Sequence, residues 1–280
     1  MKAVVITRTG GPEVLELREV PDPVIKKDTE ILVKIKENVS NKLVWVIGST
    51  NPPAENILEL IFMLEVLRRE KAKINLLIPY FGYARQDRIF PGECFSAKVM
   101  CDLLKSFRLN RIFVMGMHSA RLKKFLNFKN KVPYELFSRI AKDFDAVVAP
   151  DKGALFDAGQ LSKIAKIPLA CMEKRRPKKE KVEIVKIKGD VKNKKVLIND
   201  DMISTGSTII EAARLLKKEG AKEISVLATH GIFAGDAMKR IERSNINAVY
   251  VTDTIPQKLK SAKIRVIDIF PHIEKIIRGG

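Results

Sequence analysis

The stretch Asn199-Asp200-Asp201-Met202-Ile203-Ser204-Thr205-Gly206-Ser207-Thr208 joins two adjacent carboxylates to a run of small hydroxyl residues around a glycine. At a helix start, the first backbone N–H groups have no acceptor within the helix. With Ser and Thr hydroxyls beside them, they form a cradle for an anion, above all a phosphate. The carboxylates repel phosphate, so they suit the hydroxyls of a sugar. Lys195 to Ile198 reads as a strand and Ser207 to Glu219 as a helix ended by Gly220. The plainer alternative is an acidic turn before a helix capped by Ser204 or Thr205. The Asp-Asp pair at a strand end favours chemistry over that alternative. No Gly-Lys-[Ser/Thr] triplet and no Gly-x-Gly-x-x-Gly occurs in the chain, which excludes the Walker and dinucleotide loops.

Other reactive side chains also follow apolar runs. They include Arg85 and Gln86 within Tyr80 to Arg88, His118 after Arg111 to Met115, Asp151 after Asp145 to Ala149, and His230 after Ser225 to Thr229. The Arg85 guanidinium is a rigid five-donor fork for phosphate, although taken alone a surface ion pair explains it as well. A lone histidine is more often packed than a ligand, so position carries the argument for His118. His230 reads as a supporting residue.

Charge adds a second clue. The 280 residues hold 52 Lys plus Arg against 33 Asp plus Glu, a formal +19. A lysine-rich solvated surface, nucleic-acid binding and a polyphosphate site all fit this number. From Lys174 to Lys195, eleven basic residues face three acids and no aromatic is present. Stacking on single-stranded bases uses aromatics, so nucleic acid is disfavoured as a partner. For Lys178 to Lys195 a solvated basic hairpin is the simpler reading.

These residues need a scaffold. Apolar runs at Leu43–Gly48, Ile74–Pro79, Arg111–Met115, Asp145–Ala149, Lys195–Ile198, Ser225–Thr229 and Ala248–Thr252 read as strands. Glu55–Arg69, Ser96–Ser106, Leu155–Ala165 and Ser207–Glu219 read as helices between them. This alternation predicts an α/β fold with parallel sheets flanked by helices, whose ligands bind beyond the carboxyl ends of strands. The pattern divides the chain into two halves, residues 1–143 and 144–259, with residues 260–280 returning to the first half. Three cysteines at 94, 101 and 171 are too few for a disulfide framework. No run approaches the roughly 20 apolar residues of a membrane span, and the start lacks a secretory core. A cytoplasmic protein is expected.

Several motifs in order resemble the ribose-phosphate diphosphokinase (PRPP synthetase) family, archaeal type, over residues 28–256. They are Pro79-Tyr80-Phe81-Gly82-Tyr83-Ala84-Arg85-Gln86-Asp87-Arg88, Ser96-Ala97-Lys98, Pro150-Asp151-Lys152-Gly153, Glu173-Lys174-Arg175-Arg176-Pro177, Asp200 to Thr208, Thr229-His230-Gly231-Ile232-Phe233 and Val251 to Pro256. The resemblance implies two type I phosphoribosyltransferase-like domains with the active site between them. It implies transfer of diphosphate from ATP to the C1 hydroxyl of ribose 5-phosphate, giving PRPP and AMP for nucleotide biosynthesis. It assigns ribose 5-phosphate to Asp200, Asp201, Ser204, Thr205, Gly206, Ser207 and Thr208. ATP falls to Arg85, Gln86, Asp28, Glu30 and His118, catalysis to Lys174 and Arg176, and Mg²⁺ to His118 and Asp151. Because Asp28 and Glu30 serve a neighbouring subunit's ATP in the family, at least a homodimer is implied.

The chain departs from the family pattern at four places. Lys26-Lys27-Asp28-Thr29-Glu30 keeps two acids but has Lys26 where the family has Phe. Gly116-Met117 precedes the histidine where an Asp is usual, and Ser207 replaces a glycine. Residues 1–36 resemble instead the leader of medium-chain dehydrogenases. The alternatives are a catalytically weak regulatory paralogue that binds phosphoribosyl ligands, and a phosphoribosyltransferase. The Tyr83 to Asp87 motif and the Lys174/Arg176 segment have no place in the latter.

Overall fold

The computed structural model describes residues 2–6, 15–19, 38–175, 184–257 and 261–279. Two short strands, β1 (Lys2–Ile6) and β2 (Leu15–Glu19), pair antiparallel. The chain forms two compact units, residues 1–131 with 274–280, which include this pair, and residues 132–273.

The first unit holds a parallel four-stranded sheet in sequence order: β3 (Leu43–Ile47), β4 (Lys73–Ile78), β5 (Arg111–Met115) and β6 (Lys129–Lys131). The crossovers are α1 (Glu55–Arg69) and α2 (Ser96–Lys105). Strands added in one direction by crossovers of one hand place their helices on one face. Accordingly Leu60, Leu64 and Leu67 of α1 and Ala97, Met100, Cys101 and Leu104 of α2 share one core with Val46, Ile74, Leu76, Ile112 and Val114. The 60/64/67 spacing is the stripe that a helix on a sheet buries.

The second unit is wound on both sides. Its sheet runs β13 (Ile264–Ile267), β12 (Ala248–Thr252), β11 (Glu223–Gly231), β10 (Lys195–Ile203), β7 (Ala146–Ala149), β8 (Leu169–Arg175) and β9 (Ile184–Lys188). All neighbours are parallel except β8 and β9. One face packs α5 (Ser207–Lys218) and α6 (Ala237–Glu242) over Ala146, Val148, Val196, Ile198, Ile224 and Val226. The other packs α3 (Tyr134–Ala141) and α4 (Leu155–Ala165) over Val147, Ala149, Leu197 and Leu227. Alternate residues of β7 thus enter opposite cores, which explains the unbroken apolar runs of these strands.

Two boundaries differ from the pattern-based reading. The units divide at 131/132 and not at 143/144. The cause is α3: Phe137 and Ala141 pack with Ala158 and Leu161 of α4, and the Tyr134 hydroxyl donates to Asp157. The returning tail is also shorter than 260–280. Ile264–Ile267 pairs with β12 inside the second sheet, and only Glu274–Gly280 groups with the first unit.

Candidate active site

The second unit's site begins inside a strand. β10 was expected to end at Ile198, yet it continues to Ile203 and carries both carboxylates within it. β11 supplies the reason, offering parallel partners along its whole length: Asp200 faces Ala228, Met202 faces His230 and Ile203 faces Gly231. Backbone pairing keeps the chain extended despite two acidic side chains.

Burial, aided by the Asp201 carboxylate and by a side-chain hydrogen bond between the two acids, pushes the Asp200 carboxyl up to about 8, and Asp151 adds to the effect. Asp157, which Asp201 also repels, is raised too, chiefly by burial. Carboxyls this close and this shielded from solvent favour the protonated form, the direction seen at both.

After the strand, Ile203 accepts from the N–H groups of Ile232 and Phe233, and the Ser204 carbonyl accepts from Ala234 N–H. The loop is thus anchored to the outgoing end of β11. Gly206 caps α5 at φ +76°, a conformation glycine adopts without strain. The side-chain cap by Ser204 or Thr205 that the plainer alternative required is not formed. Ser207 is the first helical residue and does not have positive φ, so a serine fits where the family has glycine. The N–H groups of Ser207, Thr208 and Ile209 lie in the first turn of α5, with the exposed hydroxyls of Thr205, Ser207 and Thr208 around them.

One participant escaped the sequence reading. Arg240 on α6 donates from Nη1 to the Thr205 carbonyl (3.1 Å) and to Ser207 Oγ (3.1 Å). Ser207 Oγ in turn lies 3.1 Å from Thr205 Oγ1. Arg240 is more than thirty residues away in sequence on a six-residue helix. No local pattern marks it.

Asp151 follows β7, and its Oδ1 accepts from Gly153 N–H (2.8 Å) and Ala154 N–H (3.1 Å). One carboxylate oxygen therefore shapes the turn before α4. Buried His230 is 2.8 Å from Thr254 Oγ1 through Nδ1, and Thr252 Oγ1 donates to the Thr229 carbonyl (2.6 Å). This network fixes the ends of β11 and β12 behind the loop.

The first unit builds a different site. Buried Thr50, after β3, reaches the loop after β4: it donates through Oγ1 to the Tyr80 carbonyl (3.0 Å) and accepts from Gly82 N–H (2.6 Å). A Cβ on Gly82 would stand 2.2 Å from the Thr50 carbonyl oxygen, so the motif requires glycine there. Phe81 and Ala84 are buried while Tyr83, Arg85 and Gln86 are exposed. The segment is anchored by its apolar residues and presents its polar ones. Ser119 Oγ donates to Asp87 Oδ2 (2.7 Å), tying this loop to the one bearing exposed His118. Gly116 adopts φ +51° and Met117 enters the core, which accounts for both residue types before the histidine.

Lys174 lies in β8, opposite Val185 of β9, so the basic segment does form a β-hairpin. The Lys174 side chain, Arg176, Asp28 and Glu30 lie outside what the structure describes. Lys188 pairs with Glu173 across the two strands, and Lys194 pairs with Asp190 after them, both at 2.8 Å. That agrees with a solvated surface there.

Comparison with known proteins decides the family. Residues 24–107 match the N-terminal domain of ribose phosphate pyrophosphokinase, and residues 151–279 match the phosphoribosyl synthetase-associated domain. A ribose-phosphate pyrophosphokinase from Hyphomonas neptunium is 37% identical over 265 residues, covering 90% of this chain and 85% of the relative. One from Thermotoga maritima is 36% identical over 254 residues, covering 86% and 81%. The chain belongs to the ribose-phosphate pyrophosphokinase family. A crystal structure of phosphoribosylpyrophosphate synthetase from Mycobacterium smegmatis superposes with a TM-score of 0.78 at 31% identity, covering 89% of this chain and 86% of that one. The two pyrophosphokinase matches contain, respectively, the Arg85 loop and the stretch from Asp151 to Arg240. The first begins at residue 24, ahead of Asp28 and Glu30.

Proposed function

We propose that this chain is a working ribose-phosphate pyrophosphokinase. The C1 hydroxyl oxygen of ribose 5-phosphate attacks the β-phosphorus of ATP, the bond from that phosphorus to the α,β-bridging oxygen breaks, and AMP leaves as the hydroxyl proton is lost. The observation that carries this reading is the Asp200–Asp201 pair held in β10 and followed directly by the cradle at Ser204 to Thr208. The acids take ribose hydroxyls and the cradle takes the 5-phosphate. Arg85 and Gln86 hold ATP phosphates, joined by His118, with Asp28 and Glu30 reaching the nucleotide of a second copy in a homo-oligomer. Lys174 and Arg176 neutralise the migrating diphosphate. Positioning and charge neutralisation dominate such transfers.

Magnesium fits this arrangement in a particular way. Among the described residues, no three His, Cys, Asp or Glu side chains converge as a metal cage. Asp151, with one oxygen committed to its turn, and His118 offer single ligands. That donor set suits a hard cation carried chiefly by substrate phosphate oxygens. When bound, Mg²⁺ would neutralise phosphate charge and align the diphosphate.

The alternative of a silent regulatory paralogue rests on the departures at the ATP and metal side, Lys26 in place of Phe and the missing Asp before His118. Asp87, one hydrogen bond from Ser119, supplies a carboxylate to the same pair of loops. Among the described residues no helix is long and apolar enough to cross a membrane; action in the cytoplasm belongs to this proposal. Purified protein with ATP, Mg²⁺ and ribose 5-phosphate should release one AMP per PRPP. Absence of AMP at enzyme-excess concentrations rejects the activity.

A further inference from the structure

A cation from outside the Asp200 to Thr208 motif bonds the loop that opens α5. Arg240 reaches it from α6, and its Nη1 bridges the Thr205 carbonyl and Ser207 Oγ at 3.1 Å each. Its side chain has no carboxylate partner among the described ion pairs, unlike Arg68, Arg214 and Arg278, each of which pairs with a glutamate on its own helix. An exposed arginine that bonds loop oxygens and no acid keeps its charge and remaining donors available to an anion.

Ser207 is the second half of the argument. Where a glycine stands, Arg240 has no hydroxyl to meet at this position. Here the guanidinium donates to Ser207 Oγ, so that oxygen acts as acceptor and its own proton must point elsewhere. The neighbour is Thr205 Oγ1 at 3.1 Å. If Ser207 donates to Thr205, the Thr205 proton is directed away from Ser207, toward whatever occupies the exposed cradle. A cation at one end of a hydroxyl chain polarises each bond along it. Arg240 also donates to the Thr205 carbonyl, which neutralises an acceptor that would repel a phosphate oxygen.

We propose that Arg240 and Ser207 form a coupled anion-binding pair for the 5-phosphate of the sugar substrate. Arg240 supplies charge directly and sets the donor direction of the Ser207 and Thr205 hydroxyls. The pair rests on the assignment of the cradle to ribose 5-phosphate. It predicts that this chain discriminates ribose 5-phosphate from unphosphorylated ribose through a contact built by a different helix from the one that opens the cradle.

The test is a double-mutant cycle with Arg240→Ala, Ser207→Gly and the combined variant. Each is assayed for KM of ribose 5-phosphate, KM of ATP and kcat. Binding of ribose 5-phosphate alone is followed by calorimetry. Both residues are exposed, and Tm reports any folding loss directly. Arg240→Ala should raise KM for ribose 5-phosphate and its Kd about tenfold, the loss of one charged hydrogen-bonding group. The KM for ATP and kcat should stay within about twofold, inside the variation of a surface change. Ser207→Gly should add little once Arg240 is gone, and Arg240→Lys should recover less than half of the loss on a logarithmic scale because lysine lacks the fork. Unchanged ribose 5-phosphate affinity in Arg240→Ala overturns the proposal, as does a loss shared equally with ATP. Strictly additive effects of the two single changes overturn the coupling. A wild type that binds ribose 5-phosphate but forms no AMP rejects the proposed activity and leaves this pair to be decided by calorimetry. A wild type that does not bind the sugar phosphate rejects both.

Discussion

The two loops that follow the strands β4 and β10 are built on opposite plans. In the second unit, chemistry sits within the regular structure. The acids belong to a paired strand, the cradle to the first turn of α5, and Arg240 bonds the loop from a third element. In the first unit, regular structure stops at Ile78, and buried Tyr80, Phe81 and Ala84 hold the loop while its polar residues face outward. Thr50 and Gly82 fix its backbone, and the side-chain hydrogen bond from Ser119 to Asp87 ties it to the His118 loop. The difference teaches where each part keeps its energy. The second loop carries electrostatic strain, seen in the raised Asp200 and Asp157. The first carries packing, with Tyr83, Arg85 and Gln86 left exposed.

That contrast can be broken by experiment, and the largest effect belongs to the basic hairpin outside it. Lys174→Ala should lower kcat about 10³-fold, the scale for removing one group aimed at transition-state charge, with Tm unchanged; full turnover in this variant would remove lysine from the chemistry. Within the contrast, Asp200→Asn should cut kcat/KM for ribose 5-phosphate about a hundredfold, the effect of a lost hydrogen-bonding partner in a buried polar site. Its KM for ATP should hold, and a parallel loss of ATP affinity would mean that the two loops are not separable. Arg85→Ala should raise KM for ATP about tenfold through one lost charged contact, without moving KM for ribose 5-phosphate.

The strain itself is a smaller effect with a defined sign. A carboxyl whose folded pKa lies near 8, against about 3.8 unfolded, binds its proton more tightly in the native state. Native stability then falls as pH rises from about 4 to 8, because ionisation is penalised only in the folded protein. Asp200→Asn should therefore stabilise the protein at pH 8, by about 1 kcal/mol, as relieving a strained functional group does, and by less at pH 5. Thermal melts at the two pH values measure it, and an equal or reversed difference contradicts the strained-acid account. The smallest effect concerns the nucleotide. With Lys26 where the family has Phe, ATP and GTP should support rates within about threefold, less than one kcal/mol of discrimination; a strong ATP preference rejects that.

Much of this was legible in the sequence where one residue type admits few explanations. Glu55–Arg69, Arg111–Met115, Leu155–Ala165 and Ala248–Thr252 fall where periodicity and apolar runs put them. The Asp-Asp and Thr-Gly-Ser-Thr order stands where a strand passes into a helix, as its residue types suggest, and its reading as a sugar-phosphate loop belongs to the proposed function. What stayed hidden depends on partners distant in sequence. The extension of β10 to Ile203 is dictated by β11, so the local reading stopped too early. The place of α3 in the second unit depends on α4. Arg240 carries no signature until α6 brings it to the loop, and Gly116 looked like a lost acid until its φ of +51° showed a glycine used for its backbone.

The central claim is that the second unit's loop binds the sugar phosphate for diphosphate transfer. The most direct measurement mixes the protein with ribose 5-phosphate, Mg²⁺ and ATP radiolabelled at the β-phosphorus, then follows the label by chromatography of the products. The account predicts that the label moves to the diphosphate on C1 of the sugar, with AMP appearing in equal amount and with both products formed about a hundredfold more slowly by Asp200→Asn at subsaturating ribose 5-phosphate. Label that stays in ATP, or that appears as free diphosphate or ADP with no sugar product, would contradict it.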